Sequence, residues 1–240
     1  MTQATRANAS RPAAAAATAT RILVMLGAPG AGKGTQAERL AERLGLPRVS
    51  TGDLFRAAMH DSSPLGDVVR PYIERGALVP DEVTVQVIGK RLAAADAQAG
   101  VILDGFPRTR PQAEALDHHM AERGGHVTAA LYIEVDPDEL VRRLAGRRVC
   151  TGPAAHVYHL ENRAPRTPGV CDVDGTPLEQ RRDDQPDTIR ARLERQLPPM
   201  YEVIDHYVET GILRSVRGDR SIDQVTDELV RVVELGGKRA

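Results

Sequence analysis

The chain reads as an α/β protein built on a doubly wound parallel sheet. Three observations predict this class: short apolar runs typical of buried parallel strands, helical stripes between them, and a glycine-rich turn where the first run meets the first helix. With 240 residues, 41% of them hydrophobic, the chain suits one core domain carrying small insertions better than two independent domains.

The first run, Arg21 to Leu26, ends in that turn, and Ala37, Leu40, Ala41 and Leu44 then repeat at helical spacing up to Gly45. Val101-Ile102-Leu103 and Ala130-Leu131-Tyr132-Ile133 are the next strand candidates, and Ile212-Leu213 to Val216 is the last. After Val135, Asp136 offers an N-cap acceptor, Pro137 suits the first helical position and Glu139 adds a carboxylate to the first turn, so a helix is expected to begin there. Ser221 likewise precedes Ile222, Val225, Leu229, Val232 and Val233, the apolar stripe of a closing helix.

Two stretches interrupt this rhythm. Residues from about Ser50 to Val79 carry helical patterns without a clear strand, and Arg148 to Asp184 is rich in Pro, Gly and charge, so both are expected to be insertions over a site at the carboxyl ends of the strands. Residues 1–20 are Ala/Thr-rich, with Arg6 and Arg11 and no acidic residue, and are expected to form a disordered extension; an organelle transit peptide is the other reading.

Composition narrows the partners. The formal net charge is −1, which favours neither nucleic acid nor an anionic membrane surface, and no apolar run is long enough to span a bilayer. Two cysteines cannot build a secreted disulfide framework, so a cytoplasmic location is expected. Small-molecule partners fit best.

Gly27-Ala28-Pro29-Gly30-Ala31-Gly32-Lys33-Gly34-Thr35 lies between a strand and a helix, the context a phosphate-binding loop requires. Gly30, Ala31, Gly32, Lys33, Gly34 and Thr35 are the candidate phosphate contacts: backbone N–H groups converge on the anion, the helix N-terminus adds positive potential, and Lys33 reaches the distal phosphates. Gly34 stands where the general motif has Ser or Thr. Thr35, one residue later, is therefore expected to hold a magnesium ion loosely or through water.

The phrase GAPGAGKGTQ, from Gly27 to Gln36, resembles the adenylate kinases, and the resemblance continues through Ser50-Thr51-Gly52-Asp53-Leu54-Phe55-Arg56, Leu103-Asp104-Gly105-Phe106-Pro107-Arg108, Gly146-Arg147-Arg148-Val149 and Asp183-Asp184. It runs from Arg21 to about Glu234 and implies a five-stranded parallel sheet in one kinase domain spanning 21–240. By that resemblance the core covers 21–49, 80–145 and 185–240, an AMP-binding insertion covers 50–79, and a lid covers 146–184.

The implied activity is transfer of the terminal phosphoryl group of Mg-ATP to AMP, giving ADP, in a monomer. The implied catalytic set is Lys33 with Arg108, Arg143, Arg147, Arg181 and Arg192, whose forked guanidiniums suit phosphate oxygens. Val157, Tyr158 and Arg220 would lie against the ATP base, and Arg143 and Arg147 would face ATP and the moving group. Arg56 and Arg108 would hold the AMP phosphate, with Arg181 and Arg192 reaching in from the lid side. Thr51, Ala77, Leu78, Val79, Gly105, Phe106, Pro107 and Gln112 would line the rest of AMP. Asp104 would hold waters of Mg2+, and Asp183 and Asp184 would organise the lid arginines. His118, His119 and His206 read as surface or helix residues with no role.

Family members with a zinc-bearing lid carry two Cys-x-x-Cys pairs, the last Cys sometimes replaced by Asp. Cys150, Cys171 and Asp174 match three of those positions, Pro153 stands where the second cysteine belongs, and His156 is a possible fourth ligand. A lid without Zn2+, holding two ordinary buried thiols, is the alternative. Rival functions are a kinase of UMP or CMP, one using GTP as donor, and a nucleotide-dependent switch; the Asn-Lys-x-Asp segment of guanine-reading switches is absent, since Asn8 and Asn162 are the only asparagines.

Overall fold

The computed structural model describes residues 20–152 and 154–236. All but the last residue of the extension expected over 1–20 therefore lies outside the described residues, as does Pro153.

Five strands form one parallel sheet: β1 (Arg21–Leu26), β2 (Arg48–Ser50), β3 (Gly100–Asp104), β4 (Val127–Glu134) and β8 (Leu213–Arg217), in the order β2-β3-β1-β4-β8. Central β1 pairs with β3 on one side and β4 on the other, so chain order reverses beside it. In such sheets the cleft for ligands opens beyond the carboxyl ends at that point. The phosphate loop leaves β1 there.

Helices cover both faces, which is why the inner strands β1 and β3 are buried almost throughout rather than alternating. Leu23 and Met25 pack with residues of α1 (Lys33–Leu44), α6 (Pro137–Gly146), α7 (Pro186–Glu209) and α8 (Ile222–Gly236). Ile22, Val24 and Leu26 pack on the other face with α4 (Asp81–Leu92), α5 (Arg110–Glu122) and the far end of α7. The expected helix starts are present: the Asp136 carboxylate accepts from Asp138 N at 2.9 Å, and Ser221 Oγ accepts from Gln224 N at 3.3 Å.

The fifth strand is the one the apolar runs do not reveal. Arg48–Ser50 is only three residues long and opens on an arginine, yet it pairs in register with Ile102, Leu103 and Asp104 at the sheet edge. It runs straight into α2 (Thr51–His60), whose first turn is capped by Ser50, and α2 packs against α3 (Pro64–Glu74) around Phe55 and Val69. The Pro/Gly/charge-rich stretch also holds more order than its composition suggests. Three short strands, β5 (Arg147–Cys150), β6 (Val157–His159) and β7 (Leu178–Glu179), make an antiparallel sheet in the order β6-β5-β7 over a small core of Cys150, Tyr158 and Cys171. Among the described residues no helix is long and apolar enough to cross a membrane.

Candidate active site

The loop after β1 wraps tightly because its glycines leave room. Gly30 has φ 88°, and a Cβ there would lie 2.9 Å from the Leu140 carbonyl of α6, so any larger residue meets both backbone strain and a clash. The turn brings Lys33 to the start of α1, where its ammonium donates to the Gly27 and Ala28 carbonyls at 2.7 and 2.9 Å. These neutral acceptors do not compensate a desolvated cation. Burial, with Arg108, Arg192 and Arg147 adding to it and Asp104 opposing, lowers the Lys33 pKa to about 7.

That shift has a definite sign. In the free protein Lys33 has shed its proton between about 7 and its ordinary 10.5, and a bound phosphate anion favours the ammonium, so binding takes up a proton within that window. Calorimetric titration with a polyphosphate ligand at about pH 8, in two buffers of different ionisation heat, should show proton uptake that Lys33→Met lacks. Equal heats for the native protein in both buffers would remove the shift.

Around the ammonium stand more cations than carboxylates can balance. Burial, and then the Arg192 charge, lower the Arg108 pKa to about 10. Burial, and then Arg56 and Arg147, lower Arg181 to about 9, and Arg181 makes no ion pair among the described residues. Arg147 forks onto the fully buried Asp184 at 2.5 and 2.7 Å, and Arg192 meets both Asp183 and Asp184 at 3.1 Å. The two aspartates thus fix the forks of Arg147 and Arg192 while the net charge stays positive. A half-buried surplus of cations is a site built for anions.

Two adjoining cavities carry most of the residues expected around AMP. One, of about 300 Å³, is lined by Thr51, Ala77, Leu78, Val79, Gly105, Arg108 and Gln112, together with Phe55, Ile73 and Thr84. The other, of about 470 Å³, joins Gly27 and Lys33 to Pro107, Arg108, Arg192 and Gln196. Arg108 borders both. Gly105, at φ 80°, lets its guanidinium in: a Cβ there would lie 2.8 Å from Arg108 Nη2 and 2.9 Å from Thr51 Oγ1. Thr51 Oγ1 in turn donates to the Gly105 carbonyl at 2.8 Å.

Other expected residues point elsewhere. Phe106 lies beside the cis peptide before Pro107, but its ring is buried in the core under β3, and Phe106 lines neither cavity. Tyr158 places its ring inside the small core of the β5–β7 sheet, with its hydroxyl 3.4 Å from Cys171 Sγ and accepting from Asp172 N at 2.8 Å. The Tyr158 ring is therefore not free to stack on a base. Arg143 bonds Glu139 and the Gly218 carbonyl, and exposed Arg220 bonds Glu228, so neither guanidinium joins the cation cluster. Gln112 is buried with its amide already bonded on both sides: Nε2 donates to Asp81 Oδ1 at 2.7 Å and Oε1 accepts from Arg108 N at 2.8 Å. Gly32, Gly34 and Thr35 lie at the junction of the loop and α1.

Asp104 sits at the end of β3 beside Gly34, with Oδ2 3.5 Å from where a Cβ on that glycine would be. Its partner is a residue the sequence reading passed over: Arg48 donates to it at 2.7 Å and also meets Asp53 at 3.0 Å. Asp53 pairs with Arg56 at 2.5 Å, and although burial opposes it, Arg56 and Arg48 hold its carboxyl down at about 2. A chain of alternating charge thus runs from the phosphate loop to Arg56. Gln196 was missed too; it accepts from Arg108 Nη1 at 3.3 Å and donates to the Gly76 carbonyl at 2.8 Å. His206 lies on α7, one of the two placements expected for it, but is buried there against Asp117 at 2.7 Å.

Cys150, His156, Cys171 and Asp174 bring one ligand atom each to within 4.8 Å of one another, so this group could hold a metal ion. His156 Nδ1 lies 3.4 Å from each sulfur and from Asp174 Oδ2, and Cys150 Sγ is 3.7 Å from that oxygen. Tetrahedral zinc with bonds of about 2.0–2.3 Å requires edges of about 3.3–3.8 Å. The donor set fits.

Comparison with known proteins shows the family. The family model described as "Adenylate kinase" matches residues 25–212. The chain is similar to the adenylate kinase of Bacillus subtilis, with 48% identity over 203 residues covering 85% of this chain and 93% of that protein. It is 46% identical to that of Exiguobacterium sibiricum over 216 residues, covering 90% and 99%, and 41% identical to that of Staphylococcus epidermidis over 212 residues, covering 88% and 98%.

Proposed function

The chain belongs to the adenylate kinase family and moves the terminal phosphoryl group of ATP to AMP, and from that premise we propose which residues do the work. The observation that carries the proposal is the unbalanced cation cluster: Lys33, Arg108 and Arg192 line the larger cavity, and Arg147 and Arg181 add their charge to it electrostatically. Phosphoryl transfer asks little covalent chemistry of a protein; alignment and charge neutralisation carry it.

In this reading the cavity of Thr51, Ala77, Leu78, Val79 and Gln112 takes the adenine and ribose of AMP, and Arg56 and Arg108 take its phosphate. The phosphate loop holds ATP, with Val157 and the backbone of Tyr158 and Arg220 against its base. Lys33, Arg108, Arg147, Arg181 and Arg192 surround the moving phosphoryl group. Residues 50–79 and 146–184 act as two closing insertions that exclude water, so that transfer outruns hydrolysis. Asp104 would help hold, through water, the Mg2+ that accompanies ATP, an ion that would offset phosphate charge. The chain acts as a monomer in the cytoplasm, where its two thiols stay reduced. Purified protein given Mg-ATP and AMP should yield two ADP per turnover; a panel with UMP, CMP and GTP measures specificity, and equal rates with UMP would overturn the AMP assignment.

We also propose that the Cys150, His156, Cys171 and Asp174 group holds a structural zinc ion, supported by the edge lengths given above. Elemental analysis after metal-replete expression should find about one zinc per chain, and Cys171→Ser should lose it. No more than a trace in the native protein would sink this assignment.

A further inference from the structure

Gln112 is an ambiguous reader of bases. Its amide carries a donor and an acceptor on one plane, and a half-turn about the last side-chain bond exchanges them. One orientation accepts from the amino group at C6 of adenine and donates to N1. The other donates to the oxygen at C6 of hypoxanthine or guanine and accepts from N1–H. A site that must choose AMP has to fix the amide one way.

The structure fixes it from behind. Asp81, the first residue of α4, takes the Nε2 side at 2.7 Å with Oδ1, and its other oxygen accepts from the Thr109 hydroxyl at 3.0 Å. Thr109 is held in turn, because its Oγ1 caps α5 by accepting from Gln112 N at 3.3 Å. On the opposite side Oε1 accepts from Arg108 N at 2.8 Å. Turning the amide over would set a carbonyl oxygen against the Asp81 carboxylate and an NH2 group against a backbone N–H, two repulsive contacts in a buried place. Each amide atom keeps capacity for one further bond: Nε2 has a second hydrogen and Oε1 a second lone pair. Gln112 lines the cavity, whereas Asp81 is not among its lining residues.

We propose that Asp81 is a positioning residue for base specificity, holding the Gln112 amide in the orientation that reads adenine and rejects 6-oxopurines. The inference rests on the reading of Gln112 as the group that meets the AMP base. Asp81 also carries negative charge at a helix N-terminus, which stabilises α4 on its own account, so a test must separate the two roles.

IMP is the probe, since it differs from AMP by the reversed donor and acceptor at C6 and N1. The ratio of kcat/KM for AMP to that for IMP is independent of how much of a variant is folded. Asp81→Asn keeps the shape but is indifferent to which amide atom faces it, so the ratio should fall about tenfold, through a higher KM for AMP and a better rate with IMP, while kcat at saturating AMP holds within about threefold. Asp81→Ala, which removes the acceptor altogether, should move the ratio the same way. Gln112→Leu should lower efficiency with AMP and leave IMP no better. An unchanged ratio in both Asp81 variants, alongside a changed one in Gln112→Leu, would overturn the positioning role and leave the helix-end role. A native ratio in Gln112→Leu would remove base reading by Gln112, and the inference with it.

Discussion

Lys33→Met is expected to lower turnover about a thousandfold while the free protein unfolds at the same temperature or a higher one. The ammonium sits where the loop, α1 and three arginines converge, so it meets charge that develops on the transferred group, and preorganised donors in such sites are worth about a hundred- to a thousandfold each. The stability half of the expectation follows from the same geometry. A cation whose pKa has dropped to about 7 opposes folding over the range in which the unfolded chain still holds its proton, and methionine removes that opposition. Steady-state rates and an unfolding scan test both halves. A variant with near-native turnover takes Lys33 out of the mechanism; one that unfolds several degrees lower shows that its bonds to Gly27 and Ala28 matter more to the fold than its charge costs.

Arg108→Ala should be nearly as damaging to catalysis, lowering kcat/KM for AMP by about a thousandfold, because among Leu78, Gly105 and Arg108, which border both cavities, Arg108 is the one that carries charge. Here kcat and KM should both suffer. The companion Arg108→Met keeps most of the side-chain volume, and in the absence of nucleotide it should be no less stable than the native protein, since burial and the Arg192 charge already strain the native cation. ATP or AMP should then raise its unfolding temperature less than it raises that of the native protein. If Arg108→Met binds AMP as well as the native chain, the residue is structural and the charge argument built on it falls.

What could be read in advance followed from how local each signal is. The phosphate loop is nine consecutive residues between a strand and a helix, so spacing alone exposes Lys33 and its glycines. Strand β2 is too short and too polar to show periodicity, and only pairing with β3 makes it a strand. Arg48, Asp81 and Gln196 act across gaps of 56, 31 and 88 residues, distances over which no sequence pattern operates. Phe106 and Tyr158 show a different limit. Both were assigned by resemblance to the family, Phe106 from within a contiguous string, but a resemblance does not say which side chains turn into the core, and these two do. The burial of His206 was not legible because a polar residue on a long helix ordinarily faces water, whereas Asp117 on α5 gives this one a buried partner. Cys150, His156, Cys171 and Asp174 could each be named from the sequence, but that they converge within 4.8 Å of one another follows only from the turns between β5, β6 and β7.

The surplus of guanidinium over carboxylate at the junction of the cavities reaches beyond the two nucleotides. An empty cleft of that kind takes up whatever oxyanion the medium supplies, so sulfate or inorganic phosphate will compete with substrate, raise the melting point in proportion to the logarithm of their concentration, and mask part of the turnover measured in phosphate buffer. Choice of buffer is therefore a variable of the enzymology: rates and melting curves recorded in chloride and in sulfate describe two differently loaded forms of one protein.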